Sequence, residues 1–209
     1  MKKFIGLIIL LIISFYFYSN MVDARASMQK SISEKLIRFH VLANSNSDED
    51  QNLKLQVKDK VLEFLDPYLE NVQSLEEARE ILTQKEEEIK EVAKQEIAKA
   101  GYDYDVNVFF DDENFPLKSY GTISLPAGEY NAFKIVIGNG EGNNWWCVMF
   151  PPLCFIDLSL GSVAISATES RMSEYLTSDE YAYVLGKDSG VSTGFIFKSK
   201  ILELLHINI

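Results

Sequence analysis

The sequence predicts an α+β fold, with a small, mainly antiparallel sheet packed against two amphipathic helices and preceded by an N-terminal signal or anchor segment. Three observations support this prediction. An unbroken apolar run opens the chain, two stretches with apolar residues at helical spacing follow, and short runs of alternating apolar and polar residues occupy the second half. Turns rich in Gly, Pro and Asn separate these short runs, which favours antiparallel pairing.

The first element is a leader. Two lysines precede the apolar run at residues 4–18, whose 15 residues fall short of the roughly 20 that a membrane-spanning helix needs. The Ala-Arg-Ala sequence at residues 24–26 has the form of a signal peptidase site, so residues 1–26 are predicted to be a secretory signal peptide. The alternative is an uncleaved N-terminal anchor. In both cases residues 27–209 are expected to form a single extracytoplasmic α+β domain.

The charge of the chain restricts its partners. The 209 residues carry a formal net charge of −11, and removal of the leader makes the remainder more acidic still. Nucleic acids and anionic lipids need clustered Lys and Arg, so neither is predicted to be the main partner. The length is sufficient for one well-packed domain.

Helix and strand patterns alternate in the first half of the chain. Residues 35–43 read as a strand, with Arg38 and His40 on one face and Phe39 on the other. A helix is predicted from residue 48 to about residue 66, ended by a proline. A long second helix begins at a capping box, Ser-Leu-Glu-Glu at residues 74–77, and ends before Gly101. The apolar positions that define the two helices are Leu53, Val57, Val61, Phe64, Leu65 and Tyr68, then Ala78, Leu82, Ile89, Val92 and Ala93.

The second half predicts strands followed by short helices. Alternating runs favour three strands, and the sequence at residues 166–186 favours short helical pieces. A last strand is expected near the end of the chain. The predicted strands cover residues 104–110, 128–138, 144–150 and 195–205.

Three short motifs resemble functional sites but are better explained as turns or caps. The glycine-rich residues 138–142 lack the helix that must directly follow a dinucleotide loop. Asp-Ser-Gly at residues 188–190 does not follow a buried apolar strand, as an aspartic protease motif would. An EF-hand spacing has Glu49 where Gly is needed and Leu55 where the bidentate Glu is needed. The residues with that spacing are Asn44, Asn46, Asp48 and Asp50. We therefore predict no metal and no cofactor.

Both cysteines and both tryptophans lie within residues 138–157. Cys147 with His40 as its base would make a catalytic pair, although no known nucleophile loop surrounds the cysteine. A disulfide between Cys147 and Cys154 is chemically reasonable outside the cytoplasm. It requires a four-residue loop at residues 149–152, because a two-residue turn at the two prolines would put the cysteines out of register. Two buried free thiols are the other alternative.

Two long segments resemble the stage II sporulation protein R family of endospore-forming bacteria. These are residues 38–59 and residues 115–157, with a looser similarity at residues 197–205. The resemblance spans about residues 37–157, and residues 158–194 match no pattern of the family.

The resemblance implies a signalling protein that is not an enzyme. Such a protein is made in the forespore and exported across the forespore membrane into the space between the two sporulation membranes. There it activates a membrane-embedded aspartic protease of the mother cell, which processes the precursor of sigma-E. The resemblance supplies no catalytic residues. The alternative function is a secreted cysteine hydrolase that uses Cys147 and His40.

Two surfaces are candidates for partner contact. Trp145 and Trp146 are adjacent in a strand and must point to opposite faces, so one is expected in the core and the other near the surface. An exposed Trp beside a Pro-Pro turn is a good binding anchor because it offers a large apolar area at low entropic cost. The second patch is expected to expose polar side chains beside the sheet. It consists of Arg38, His40, Asn44 and Asp48.

Overall fold

The computed structural model describes residues 2–156 and 162–187, and it confirms the predicted α+β class. The predicted strand at residues 195–205 and the turn at residues 188–190 lie outside the described residues. The helices are α1 (Lys2–Ser33), α2 (Asp48–Leu69), α3 (Leu75–Gln84), α4 (Glu86–Lys99), α5 (Ser162–Tyr175) and α6 (Ser178–Val184). The strands are β1 (Ile37–Leu42), β2 (Val106–Phe115), β3 (Lys118–Tyr120), β4 (Ile123–Leu125), β5 (Gly128–Ile137) and β6 (Asn144–Phe150).

Four strands form the main sheet, in the order β2–β5–β1–β6. β5 is antiparallel to β2, and β6 is antiparallel to β1, but β1 and β5 run parallel. The sheet is therefore mainly antiparallel, as predicted, with one parallel pair at its centre. β3 and β4 form a separate two-stranded hairpin.

The core on one face of the sheet holds the predicted amphipathic helices. Phe39 and Val41 of β1 point to this face and are fully buried. The helices contribute apolar side chains at three- and four-residue spacing, which places them on one side of each helix. The buried helix residues of this core include Leu53, Val57, Val61, Leu65, Leu82, Ile89, Ala93 and Ile97.

The opposite face of the sheet is covered by a second core. The β3–β4 hairpin, the end of α1, α5 and α6 all contribute to it. Its buried residues include Ile32, Leu36, Ile123, Leu125, Tyr130, Val148, Met172 and Val184. The sheet is consequently buried on both faces around β1.

Polar contacts hold the end of α1 against the domain. Gln29 Nε2 donates to the carbonyl of Glu129 at 2.8 Å. Glu180 accepts from Ser31 Oγ and Lys35 Nζ, both at 2.5 Å. Although burial opposes it, the hydrogen bonds from Lys35 and Ser31 lower the pKa of Glu180 to about 2. The helix that begins with the apolar leader therefore ends inside the fold.

The predicted end of α2 is wrong by about one turn. Pro67 lies within the helix, which continues to Leu69. Leu65 and Leu69 are one turn apart and both buried in the core, so packing favours the last turn. Pro67 lacks the N–H that would bond the carbonyl of Glu63, so the burial of Leu69 offsets the loss of one intrahelical hydrogen bond.

The predicted long second helix is two helices, α3 and α4, which meet at Lys85. Lys85 adopts φ −93° and ψ 2°, outside the helical region. Three consecutive glutamates follow it, and negative charges are stabilised at a helix N-terminus. The Ser74 cap is present, but the Glu77 side chain accepts from the amide of Gln73 instead of completing the box at Ser74.

Substitution of Leu65 tests the packing of α2. Leu65→Ala should lower the free energy of unfolding by about 2–5 kcal/mol, because the side chain is fully buried and leaves a cavity. Leu55→Ala on the same helix is the matched control, since Leu55 is 37% exposed. Its effect should stay within about 0.5 kcal/mol. Urea denaturation of the detergent-solubilised protein, followed by tryptophan fluorescence, measures both, and equal losses would contradict this helix orientation.

Candidate functional site

β6 lies at one edge of the main sheet and carries both tryptophans. Trp145 contacts Lys58 of α2, whereas Trp146 contacts Phe115 of β2 on the other side of the sheet. The two indole rings therefore lie on opposite faces, as the strand pattern predicts.

Trp145 is the exposed member of the pair, with 36% of its surface accessible. The Nζ of Lys58 lies 4.4 Å from the centre of its ring. Lys58 also forms an ion pair with Asp59. The cation over the ring favours one orientation of the indole, which suits a contact residue.

Trp146 stacks on a buried histidine. The rings of Trp146 and His40 are 3.9 Å apart with an interplanar angle of 14°. His40 Nδ1 lies 2.6 Å from Glu113 Oε2, and Glu113 also pairs with Lys134 at 3.0 Å. Burial lowers the pKa of His40 below its ordinary value of 6.5, although Asn144 and Glu113 favour the charged form. A neutral imidazole in this place stabilises the second core by stacking on Trp146 and by a hydrogen bond to Glu113.

Arg38 is fully buried among aromatic rings on the same face. Its guanidinium carbon lies 4.2 Å from the ring centre of Phe115 and 4.9 Å from that of Tyr130. Nε donates to the carbonyl of Cys147 and one terminal nitrogen donates to the hydroxyl of Tyr120, each at 3.1 Å. Burial lowers the pKa of Arg38, against the opposing effect of the two tyrosines. The side chain thus joins three strands and the hairpin.

The expectation that Arg38 and His40 expose polar groups beside the sheet is wrong. Both residues have 0% accessible surface. The physical reason is the second layer, because the β3–β4 hairpin and the end of α1 cover the face to which β1 directs them. The two residues are interior polar groups of the second core.

Asn44 holds two loops together. Its Oδ1 accepts from the amide of Asn139 at 3.0 Å, and its Nδ2 donates to Asp50 at 2.9 Å. Although burial opposes it, hydrogen bonds from Ser45 and Asn44 lower the pKa of Asp50. Gly138 has φ +57° in the facing loop, and a Cβ there would clash with Asn44. The calcium-like spacing therefore serves loop packing.

Asp48 lies apart from these contacts. It is exposed in the first turn of α2, where a carboxylate is stabilised by the helix N-terminus. The N-cap itself is Ser47, whose hydroxyl accepts from the amide of Asp50 at 3.2 Å. The structure does not bring Asp48 together with either tryptophan.

Cys147 and Cys154 form the disulfide that was one of the two predicted alternatives. The predicted loop at residues 149–152 is wrong, because β6 continues through Phe150 and the chain then turns back without forming a strand. Their Cα atoms are 5.6 Å apart, within the usual range for a bridge. The hydrolase alternative needs a free thiol beside His40. Neither cysteine is free, and Cys147 packs in the first core while His40 faces the second. The geometry gives that alternative no support.

A groove of about 700 Å³ surrounds the edge of β6, and we call it the edge groove. The sequence did not indicate its two side walls. One wall is formed by Lys58 and Leu62 of α2, each of which directly follows a buried residue of that helix. The other wall is formed by β3. The residues that line it include Lys58, Leu62 and Trp145 on the α2 side and Tyr120, Trp146 and Ile156 on the hairpin side. The neighbouring Tyr-Gly at residues 120–121, a turn signal, was the available clue to the hairpin.

The structure combines an apolar N-terminal helix, long enough to cross a membrane, with an α+β domain that presents an aromatic groove. A family model described as Stage II sporulation protein R (spore_II_R) matches residues 33–160. The chain therefore belongs to the stage II sporulation protein R family, and this membership supports a role in sporulation. The expected family resemblance is confirmed.

A relative of known name gives the same result. The chain is 43% identical over 146 residues to Stage II sporulation protein R of Bacillus subtilis (strain 168). The match covers 70% of this chain and 65% of the relative's length, so the chain spans about two thirds of that protein. No solved structure matches the chain significantly.

The burial of His40 predicts a specific pH dependence of stability. Its folded-state pKa is below the unfolded value of 6.5, so the unfolded state binds more protons between those two values. The free energy of unfolding should therefore fall as the pH decreases from about 6.5 through the folded-state pKa. Urea unfolding between pH 7.5 and pH 5 in about half-unit steps measures this slope.

His40→Gln is the control for that slope. The variant should be less pH-dependent above pH 5 than the parent protein, because its residue 40 does not titrate. Glu180 does not contribute in this window. Its pKa is about 2 in the folded protein and 4.5 ordinarily, so the stability that it contributes is lost only at lower pH. Identical slopes in the two proteins would show that His40 is not the titrating group.

Removal of the disulfide should destabilise the fold without unfolding it. Cys147 and Cys154 are 7 residues apart in sequence, and closure of a loop of this size is worth about 2–3 kcal/mol. The double variant Cys147→Ala/Cys154→Ala should lose about that amount of unfolding free energy. Reductant should destabilise the parent protein similarly and leave the double variant unchanged. A reductant effect on the double variant would contradict the assignment.

Proposed function

We propose that this chain is an exported signalling protein that activates a membrane-embedded aspartic protease of the mother cell, which then processes pro-sigma-E during endospore formation. The observation that carries the proposal is membership of the stage II sporulation protein R family over residues 33–160. The protein acts by contact with the protease, and the chain itself breaks no bond.

The N-terminal helix supports an extracytoplasmic location. The most apolar 18-residue stretch of its segment Phe4–Ser33 has a mean hydropathy of 2.1 and is 0% buried. Such a helix serves as a signal peptide or as an anchor in the forespore membrane. Residues 27–209 then form the domain that faces the space between the two sporulation membranes.

The chemistry of the surface supports contact as the mode of action. Trp145 is an exposed, oriented aromatic ring at the edge of the sheet. Aromatic residues of this kind contribute a large share of the binding free energy in protein interfaces. The formal charge of −11 disfavours an anionic partner surface such as a phosphate backbone.

Reconstitution tests the proposed function. The chain, the protease and pro-sigma-E are co-expressed in a host that lacks other sporulation factors, and processing is followed by immunoblotting. Processing should occur only when the chain is present. A version without residues 2–23 stays in the cytoplasm and should not support processing. Processing in the absence of the chain, or none in its presence, would refute the proposal.

Trp145→Ala should reduce this processing by about tenfold, because it removes the exposed anchor. Tyr68→Ala is the matched control. Tyr68 is a similarly exposed aromatic residue, at 39%, and it also has a lysine over its ring. Processing by the control variant should stay near that of the parent chain. Equal loss in both variants, at equal protein levels, would exclude a specific role for Trp145.

A further inference from the structure

We propose that the edge groove binds an extended segment of the partner, which adds a strand to the open edge of β6. This inference rests on the proposed function and deepens it by naming the surface and the form of the bound segment. The bound segment has alternating apolar side chains and at least one carboxylate. Each of these properties follows from the geometry and charge of the groove.

The outer edge of β6 is open over its first half. β6 is the last strand in the sheet order, and its inner edge pairs with β1. The carbonyl of Val148 points outward, since it accepts from the amide of Cys154 at 3.1 Å. Backbone groups that point to one side recur every second residue, so those of Asn144 and Trp146 also point outward. In the part of the chain that the structure describes, no strand lies beside them.

The edge groove extends over both faces of β6. Trp145 and Leu62 line it on the α2 side, while Trp146 and Tyr120 line it on the hairpin side. Side chains of an added strand alternate between the two faces of a sheet. Successive side chains of a bound strand would therefore enter the two sides of the groove in turn. A helical segment would not place its side chains in this way.

The length of the open edge sets the size of the bound segment. The free stretch runs from Asn144 to Cys147, because Val148 is already paired with Cys154. At about 3.3 Å per residue, this length pairs with a strand of about four to six residues. Main-chain hydrogen bonds supply affinity in this mode, and the alternating side chains supply selectivity.

The charge at the rims favours an acidic ligand. Lys58 lies on one side of the groove and Lys118 on the other, in a chain whose net charge is −11. Asp59 partly neutralises Lys58 through their ion pair. A carboxylate at one end of the bound strand would meet Lys118. We therefore assign the groove to an extracytoplasmic segment of the protease that combines apolar residues with Asp or Glu.

The other edge of the sheet differs in ways that disfavour strand addition. β2 is the opposite edge strand, and it carries Asp111, Asp112 and Glu113 in sequence. Asp111 and Asp112 are exposed. Charged side chains along an edge oppose pairing with another strand. The first half of β6 carries Asn and Trp there instead.

Three variants test the inference in the reconstituted system. Asn144→Pro removes one outward N–H, and proline opposes strand pairing at that position. Lys118→Glu reverses the charge of one rim. Each should reduce processing by about 3- to 10-fold, which corresponds to the loss of one hydrogen bond or charge contact. Lys99→Glu, at an exposed helix end away from the groove, is the control and should process normally.

Photocrosslinking provides a readout that does not depend on activity. A photoreactive phenylalanine analogue at position 59, on the groove rim, should crosslink to the protease, and one at position 99 should not. Asn144→Pro should reduce the crosslink yield by about 3- to 10-fold. Asn144→Ala also loses the side-chain contact with His40 but keeps the outward N–H, so it should crosslink like the parent chain. Mass spectrometry of the crosslinked peptide should identify a segment that contains Asp or Glu between apolar residues.

The outcomes separate the two proposals. If the parent chain activates the protease, but Asn144→Pro and Lys118→Glu process as well as the Lys99→Glu control and position 59 gives no crosslink, strand addition is refuted and the proposed function stands. A crosslink from position 59 to a second copy of the chain, or to its own C-terminal part, also refutes this assignment. If the parent chain does not activate the protease, the proposed function fails and the assignment of the occupant fails with it.

Discussion

The fold depends on the burial of β1 from both sides. This strand occupies the inside of the sheet, parallel to β5 and antiparallel to β6, and separates the two cores. On one face it presents aliphatic and aromatic side chains to the helices. On the other it presents Arg38 and His40, which contact aromatic rings, a tyrosine hydroxyl, a carboxylate and one backbone carbonyl. The interior polar contacts determine which layer covers this face, since each needs a partner from a particular element.

The same arrangement positions the candidate site. His40 stacks on Trp146, and Arg38 donates to the carbonyl of Cys147, so both buried residues act on the edge strand. The disulfide then joins the returning chain to the far half of β6. Between these constraints the first half of the strand keeps its outer edge open. The rigidity of the groove therefore comes from residues that never reach the surface.

Much of this fold could be read from local patterns in the sequence. The alternation in β1 and β6 and the helical stripe from Leu53 to Leu65 specify the strands, the helices and the opposite faces of the tryptophans. Local patterns cannot specify which strands become neighbours, so the parallel β1–β5 pair was not foreseen. The burial of Arg38 and His40 was missed for the same reason. It depends on the hairpin at residues 118–125, whose Tyr120 is 82 positions from Arg38, and on the end of α1, for which the sequence predicted only a leader.

The last turns of α1 have a consequence for the mature protein. Ile32 and Gln29 belong to the interior and hydrogen bonding of the domain, yet they follow the Ala-Arg-Ala sequence by only a few positions. Cleavage after Ala26 would leave residues 27–33 of α1 packed on the domain. The domain would therefore have the same fold whether it is released or remains attached to the membrane by the helix, which we call the tethered form. In the tethered form the helix runs without interruption from the lipid, and about 15 Å of it separates Tyr18 from Met28. The domain would then lie at a fixed distance from the membrane surface, and it would meet a partner by lateral diffusion and by rotation about the axis of this helix.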